Sequence, residues 1–293
     1  MKHNIGRLII RRLIVCTFIL LICPTAIYAY SKDIEPKSLD INYFDIKTSN
    51  VSKGMEGLKI VQFSDTLIGE HFSLEQLQNL VIKINKQKPD IIVFTGDLID
   101  NSAKFKSTTS ISPILKQLKA TYGKYAIYGN HDVGGRGRWI YSNILSKSGF
   151  KILDNTSKTI TLKDHSKLSI VGLDDYLLGR PNPNKAFSNV PLNTFTLLLV
   201  HEPDVSDRLY EYPIDLQLSG HSHGGQVKMP FIGTLYTPPL AEKHTEGFYK
   251  IKNKFKPMIL YVNRGIGTTR LPFRFLSKPE LTVFTLKRPS NKT

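Results

Sequence analysis

Short apolar runs of strand length alternate with amphipathic segments through most of the chain. Between the first two runs, apolar residues recur at helical spacing from Leu74 to Ile84. Ser73 and Gln76, three residues apart at the start of this stretch, have the arrangement of a capping box. Strands that alternate with helices are typical of an α/β protein. The runs that predict these strands occupy residues 58–63, 90–94, 125–128, 194–200 and 214–218.

Other parts of the chain add antiparallel strands and short helices to this alternation. Residues 159–162 and 168–171 alternate between apolar and polar side chains on either side of a turn, which predicts an antiparallel pair. Further strands are predicted at residues 39–46, 247–252, 258–263 and 281–286, and short helices at residues 113–118 and 139–145. The pattern therefore indicates an α/β fold whose last quarter is rich in strands.

The N-terminus has the pattern of an export segment. Four basic residues and no acidic residue occur in residues 1–29, and residues 13–29 are largely apolar. About 17 apolar residues are at the short limit for a membrane span, so a cleaved signal peptide and an uncleaved membrane anchor both remain open. Residues 30–56 are predicted to be a tether and a first strand, and residues 57–288 the main domain.

The basic flank of this segment predicts the topology, because positive charge stays on the cytoplasmic side. We therefore expect a single N-terminal span with the domain outside the cytoplasm, or a secreted domain if the segment is cleaved. Both cysteines, Cys16 and Cys23, lie in this segment. The domain consequently has no disulfide and no thiolate metal ligand.

The charge balance favours an anionic partner. Lys and Arg total 40 against 24 acidic residues, a formal net charge of +16. Such an excess suits a phospholipid head group or an anionic cell-wall polymer, although a solvated lysine-rich surface explains it equally well. A nuclease would rest on charge alone, so we do not expect nucleic acid as a partner.

Metal-capable side chains follow five of the predicted strands. Ligands of α/β proteins bind outside the carboxyl ends of strands, so these side chains are expected to meet in one crevice. Aspartate, asparagine and histidine ligands suit Mn, Fe or Zn. The residues that form this set, sufficient for two divalent metal ions, are Asp65, Asp97, Asn130, His201, His221 and His223.

This ordered set resembles the calcineurin-like metallophosphoesterase family from about residue 57 to about residue 285. The resemblance is carried by Asp65, Gly96-Asp97, Gly129-Asn-His-Asp132, His201 and Gly220-His-Ser-His223. The segment Asn263-Arg-Gly-Ile-Gly-Thr-Thr269, followed by Pro279-Glu280, is similar to the membrane-anchored or exported bacterial branch. The resemblance implies a four-layer α/β/β/α sandwich of two mixed sheets flanked by helices.

The resemblance also implies a role for each residue of the set. Asp65 and His223 would bind one metal ion, and Asp97 would bridge it to the second. His131 would lie over the substrate phosphate as the catalytic residue that does not bind metal. The ligands of the second ion would be Asn130, His201 and His221.

One position departs from the family pattern. Where the family has Asp-x-His, this chain has Asp65-Thr66-Leu67, and leucine cannot coordinate a metal. The first ion is therefore expected to be bound more weakly. His71 is the other histidine of this segment and is an alternative ligand, although a solvated loop histidine is the simpler interpretation.

Two neighbouring features have weaker signals. Arg136 and Arg138 in a glycine-rich loop are candidate phosphate-binding residues, and a flexible surface turn is the alternative. Asp174-Asp175 is interpreted as a turn. Asp132 is expected to orient His131 or a neighbouring loop.

The function that we expect is metal-assisted hydrolysis of a phosphoester, either a diester or a monoester, by a monomer at the outer face of the membrane. The alternative is a degenerate, non-catalytic module that binds phosphorylated lipid or cell-wall polymer. The replacement of a histidine by Leu67 favours that alternative. The retention of the other six ligand positions of the pattern favours the enzyme.

Overall fold

The computed structural model describes residues 2–289, which form six helices and fourteen strands. The helices are α1 (Lys2–Ala29), α2 (Leu74–Lys86), α3 (Ile111–Leu115), α4 (Asn130–Val133), α5 (Gly137–Lys147) and α6 (Pro183–Phe187). The strands are β1 (Asp40–Lys47), β2 (Lys59–Phe63), β3 (Ile91–Phe94), β4 (Lys124–Ala126), β5 (Phe150–Ile152), β6 (Thr156–Thr161), β7 (Lys167–Gly172), β8 (Phe195–Leu199), β9 (Leu216–Ser219), β10 (Lys228–Met229), β11 (Gly233–Thr234), β12 (Gly247–Ile251), β13 (Met258–Val262) and β14 (Glu280–Lys287).

Two six-stranded mixed sheets form the body of the fold. The first has the order β1-β14-β2-β3-β4-β5, in which only the β14–β2 pairing is antiparallel. The second has the order β12-β13-β9-β8-β7-β6, with antiparallel pairs at both edges. A separate hairpin joins β10 to β11.

The apolar side chains of the sheets divide into three clusters, which define the layers. One cluster lies between the first sheet and helices α2, α3 and α5, and a second lies between the two sheets. The third covers the outer face of the second sheet with α6 and the 3-10 turn Pro203–Arg208. The sequence expectation of two mixed sheets flanked by helices is confirmed.

The segment before β1 is packed against the domain. Residues 30–37, which we expected to be a tether, continue the chain as a π turn and a 3-10 turn. The Ser31 carbonyl accepts a hydrogen bond from the Arg274 amide at 2.9 Å, and the buried Glu35 carboxylate accepts one from the Ser277 amide at 2.6 Å. These contacts correct the expectation, because they fix the segment to the domain.

Helix α1 is long and apolar enough to cross a membrane. Its 28 residues span about 42 Å at 1.5 Å per residue, which exceeds the roughly 30 Å hydrocarbon core of a bilayer. None of the residues in its most apolar stretch is buried by the rest of the described chain.

Candidate metal centre

The predicted set of metal-capable residues is brought together where the two sheets meet. Asp65, Asp97 and Asn130 follow β2, β3 and β4 of the first sheet, while His201 and the two remaining histidines follow β8 and β9 of the second. The carboxyl ends of these parallel strands lie at one edge, as expected. Asp65, Asp97, His201, His221 and His223 are all buried.

The backbone is strained at four of these residues. Asp65, Asp97, His221 and His223 have φ values of 51°, 61°, 69° and 51°, in the left-handed region that residues other than glycine seldom adopt. Such conformations cost on the order of 1–3 kcal/mol each and are concentrated at functional sites. Their coincidence at one edge indicates that the fold stabilises this arrangement for a function.

Two glycines of the motifs are required by close packing. A Cβ at Gly129 would lie 2.3 Å from Asp97 Oδ1, and a Cβ at Gly220 would lie 2.3 Å from Asp65 Oδ2. Any side chain at either position would displace a carboxylate. The glycines of the Gly-Asn and Gly-His motifs therefore allow the loops to approach the acidic residues directly.

Asp97, His201 and His221 form a compact group. One ligand atom from each lies within 4.8 Å of the other two, a spacing suited to one metal ion. His201 Nδ1 is 2.6 Å from the Thr95 carbonyl oxygen, which leaves Nε2 toward the centre, 3.3 Å from Asp97 Oδ2. His221 Nε2 is 3.0 Å from the Pro239 carbonyl oxygen, which leaves Nδ1 free. Backbone carbonyls orient metal-binding histidines in this way.

Two buried atoms at this group have no hydrogen-bond partner among the described residues. They are His201 Nε2 and Asn130 Oδ1. A buried polar atom without a partner is costly, and an approaching cation would satisfy both of these acceptors. The donor set and these two free atoms therefore fit a divalent metal ion.

The electrostatics of the histidines agree with this fit. Burial lowers the pKa of His221 to about 4, so its ring is neutral at pH 7 and able to bind a metal. Burial alone would also lower the pKa of His201, but Asp97 and Asp65 raise it well above its usual range. The same carboxylates favour a metal cation at His201 Nε2.

Fewer ligands surround the position between Asp65 and His223. His223 Nε2 lies 3.5 Å from Asp65 Oδ1. Leu67 is buried and has a φ of 44°, and its amide donates a hydrogen bond to the Asp97 carbonyl at 3.1 Å. The loop Asp65-Thr66-Leu67 therefore contacts Asp97 through its backbone, but the side chain of Leu67 provides no ligand atom.

Sequence reasoning missed a buried cation beside this position. The Arg274 guanidinium is completely buried and donates to the carbonyl oxygens of Arg264, Gly267 and Ser277. Its Nη2 atom also lies 3.4 Å from His223 Nδ1. Burial and Arg274 hold the pKa of His223 well below its ordinary value. No periodic or spacing signal identifies such a residue, because its role depends on loops meeting in space.

His131 lies next to the group of ligands and faces a cleft of about 470 Å³. Its amide donates to Asp97 Oδ1 at 2.9 Å, and its Nδ1 atom is 2.7 Å from the Asp100 carbonyl oxygen. Burial alone would lower the pKa of His131, but Asp97 and Asp100 raise it above the ordinary value. His131 is therefore positioned to hold a proton at the mouth of the centre.

A family model described as calcineurin-like phosphoesterase matches residues 58–225. The chain belongs to the calcineurin-like phosphoesterase family. It is therefore a hydrolase that acts on phosphoester bonds.

Relatives of this calcineurin-like phosphoesterase are similar over most of their length. The metallophosphoesterase YkuE of Bacillus subtilis is 45% identical, with 89% of this chain and 90% of the relative covered. The UDP-2,3-diacylglucosamine pyrophosphatase LpxG of Chlamydia muridarum is 28% identical, with 89% and 93% covered. The phosphodiesterase YaeI of Escherichia coli is 29% identical, with 78% and 82% covered.

Asp132 organises the loops of this phosphoesterase site. Its carboxylate accepts hydrogen bonds from the amides of Asp97, Gly129 and Leu98 at 2.7, 2.9 and 3.0 Å. These bonds join the loops after β3 and β4. Asp132 therefore orients a neighbouring loop, which is one of the two roles expected from the sequence.

The two arginines predicted to bind substrate lie outside the cleft. Arg138 forms ion pairs with Asp174 at 2.7 Å and Asp154 at 3.1 Å, and its guanidinium lies 4.1 Å from the centre of the Tyr128 ring. Neither Arg138 nor the exposed Arg136 lines the cleft that contains His131. The charge of Arg138 is already paired with two carboxylates, so these contacts give its predicted phosphate-binding role no support.

The arginine that does line the cleft is Arg270, which sequence reasoning did not select. It directly follows the Thr268-Thr269 pair of the segment that resembles the bacterial branch, so its neighbourhood carried a signal although the residue was missed. Its guanidinium carbon lies 5.1 Å from the centre of the Tyr236 ring.

The remaining sequence candidates lie outside the group of ligands. His71 is exposed on the loop before α2, whose capping box at Ser73 forms as predicted. Asp175 Oδ2 accepts hydrogen bonds from the Leu178 and Gly179 amides, as expected of a turn.

Proposed function

We propose that this chain is a metal-dependent phosphoesterase that cleaves a phosphodiester or phosphomonoester at the outer face of the cytoplasmic membrane. The observation that carries the proposal is the buried group of Asp97, His201 and His221, beside which His131 faces an open cleft. Two of these metal-capable residues, Asp97 and His221, line the same cavity as the proton-holding His131.

Two divalent ions are proposed at this centre. One is held by Asn130, His201 and His221, the other by Asp65 and His223, with Asp97 between them. Mn, Fe or Zn suits these oxygen and nitrogen donors, and we propose manganese as the activating ion. When bound, the ions supply the charge that activates a water nucleophile and stabilises the phosphoryl oxygens.

The chain's own residues prepare the reaction. Thr95 and Pro239 fix the rings of His201 and His221 through their carbonyl oxygens, so that the other ring nitrogens are available to the metal centre. His131 holds a proton near the leaving oxygen, and a general acid of this kind contributes roughly 10²–10⁴-fold to the rate. Arg270 at the cleft wall adds a positive charge for an anionic substrate.

The relatives support cleavage of a phosphate linkage with two substituents. One relative is named a pyrophosphatase of a diacylated nucleotide sugar and another a phosphodiesterase. We propose a diester or pyrophosphate before a simple monoester. Helix α1 supports retention at the membrane, with residues 30–289 outside the cytoplasm.

The test is hydrolysis of a soluble aryl phosphodiester by the full chain in detergent, with added Mn²⁺ or with a chelator. We expect turnover that depends on Mn²⁺ and that is lost in His201→Ala. His165→Ala is the matched control, because His165 is exposed on the turn between β6 and β7. An inactive natural chain that still binds Mn²⁺ would contradict the proposal and support the non-catalytic binding module.

A further inference from the structure

We infer that an apolar lip beside the cleft enters the same bilayer that α1 crosses, so that the enzyme cleaves phosphoesters carried by membrane lipids. The lip consists of Phe231, Ile232, Leu235 and Leu271. The inference rests on the proposed function, because it assigns a substrate class to that same site.

The lip is unusually exposed for its composition. Phe231 and Ile232 lie in the loop of the β10–β11 hairpin and are 109% and 74% exposed, and Leu235 and Leu271 are 58% and 60% exposed. Large apolar side chains grouped on a surface mark an interaction site, whereas scattered ones are ordinary. No residue of the described chain covers the Phe231 ring.

Residues next to the lip contact the end of the apolar helix. The rings of Tyr28 and Phe273 have centroids 5.3 Å apart, and those of Tyr30 and Phe275 are 6.4 Å apart. Phe275 in turn pairs with the start of the hairpin, since its carbonyl accepts from the Lys228 amide at 2.9 Å. Tyrosines at the end of a span are typical of the membrane interface.

These contacts limit how far the lip lies from the helix. Val227 forms a β-bridge with Phe275, and Phe231 follows four residues later. Four extended residues reach at most about 13 Å. The lip therefore begins within a short distance of the point where α1 leaves the membrane.

The same lip forms one wall of the catalytic cleft. Leu235 and Leu271 of the lip, together with Tyr236, line the same cleft as His131 and His221. The Gln226 side chain donates to the carbonyl oxygens of Thr269 and Leu271 at 3.1 and 3.0 Å, and so joins both parts of the wall. A lipid whose acyl chains remain in the bilayer would therefore present its phosphate to the centre.

The charges around the lip favour a lipid surface over a second copy of this basic chain. Residues 226–241 and 263–279 contain no acidic residue. Of their five basic residues, Arg274 is buried, and Lys228, Arg264 and Lys278 pair with carboxylates elsewhere in the chain, which leaves Arg270 as the exposed cation of these segments with no carboxylate partner among the described residues. Basic side chains close to a span attract anionic lipids, while two chains of net charge +16 would repel one another.

The position of the lip is tested with the full chain reconstituted in phosphatidylcholine vesicles that contain phosphatidylglycerol and brominated acyl chains. The single tryptophan is first removed by Trp139→Phe, an exposed position. Phe231→Trp is then expected to lose most of its fluorescence by quenching. Leu192→Trp is the matched control and should keep its fluorescence, because Leu192 is 63% exposed but precedes β8, at the end of the strand opposite to the metal centre.

Equal fluorescence of the two variants in brominated and unbrominated vesicles would overturn the membrane contact. A dimer that buries Phe231 in place of the bilayer would also leave this residue unquenched and would overturn it.

The substrate class is tested with two aryl phosphodiesters that differ in one ester group. One carries a long alkyl chain and is embedded in the vesicles, and the other carries a methyl group and is soluble. We expect the double variant Phe231→Asp, Ile232→Asp to lower the ratio of embedded to soluble hydrolysis at least about tenfold, as loss of buried apolar contact weakens interfacial binding. Leu192→Asp should leave this ratio unchanged.

The two assays separate the two proposals. If neither ester is hydrolysed, the proposed function fails. If the soluble ester is hydrolysed and the ratio does not respond to the lip variants, the phosphoesterase stands and the lipid inference is overturned.

Discussion

The two halves of the proposed metal centre have different sets of ligand side chains. In the half around His201, Asp97 and His221 converge, and two buried atoms have no hydrogen-bond partner within residues 2–289. In the half around Asp65, the loop keeps a left-handed residue at Leu67 and its hydrogen bond to Asp97, although the side chain offers no ligand. The loop after β2 is therefore ordered by a backbone contact with Asp97, although the side chain at Leu67 provides no ligand atom.

The poorer half is also closer to a fixed positive charge. Burial lowers the pKa of Arg274 to about 9, so the guanidinium remains charged at neutral pH. It lies beside His223, while the richer half has no such cation among its described hydrogen-bond partners. Coulomb repulsion adds to the missing ligand and weakens cation binding between Asp65 and His223.

The largest expected effect comes from Asp97, which we propose serves both halves. Asp97→Ala should reduce hydrolysis by more than the roughly 10²–10⁴-fold that the loss of a proton-transfer group causes, because both metal positions lose a ligand. Metal content should fall at both positions when measured by elemental analysis. A variant with half its activity and full metal content would show that Asp97 does not bridge.

Substitution of His131 is expected to affect catalysis without affecting metal binding. His131→Ala should lower turnover roughly 10²–10⁴-fold and leave the metal content nearly unchanged, because the ring faces the cleft. His131→Glu should not restore turnover, since a carboxylate repels phosphate. Loss of metal from the alanine variant would assign His131 to the ligands instead.

Local patterns predicted the α/β class and the residues that gather at the centre, while the arrangement in two mixed sheets was implied by the resemblance to the family. Apolar runs predicted the strands, and the residues just after them, such as Asp97 and His201, had to meet at one sheet edge. The contacts of Arg138 with Asp174 and the burial of Arg274 could not be predicted. They join segments of separate loops, and the pattern of each segment alone gives no sign of its partner.

The tether shows the same limit. Residues 30–37 are polar enough to predict a linker, yet Glu35 is buried. Its carboxylate accepts a hydrogen bond from the amide of Ser277, 242 positions later in the chain. The hairpin of the lip also had no clear strand pattern, since β10 and β11 are two residues long.

The central claim is that Leu67 makes one half of the centre weaker than the other, and a Mn²⁺ titration of the natural chain and Leu67→His tests it most directly. Loss of a residue that only hydrogen-bonds to a metal ligand weakens metal binding roughly 10–100-fold. The natural chain, which lacks a ligand itself, should therefore bind one ion tightly and a second ion more weakly by at least this factor. His71→Ala should behave as the natural chain, because His71 is exposed on its loop.

In Leu67→His we expect two tightly bound ions and higher activity at limiting Mn²⁺, because the substitution recreates the Asp-x-His spacing on a loop whose backbone contacts Asp97. Identical binding curves for the natural chain and Leu67→His would contradict the account.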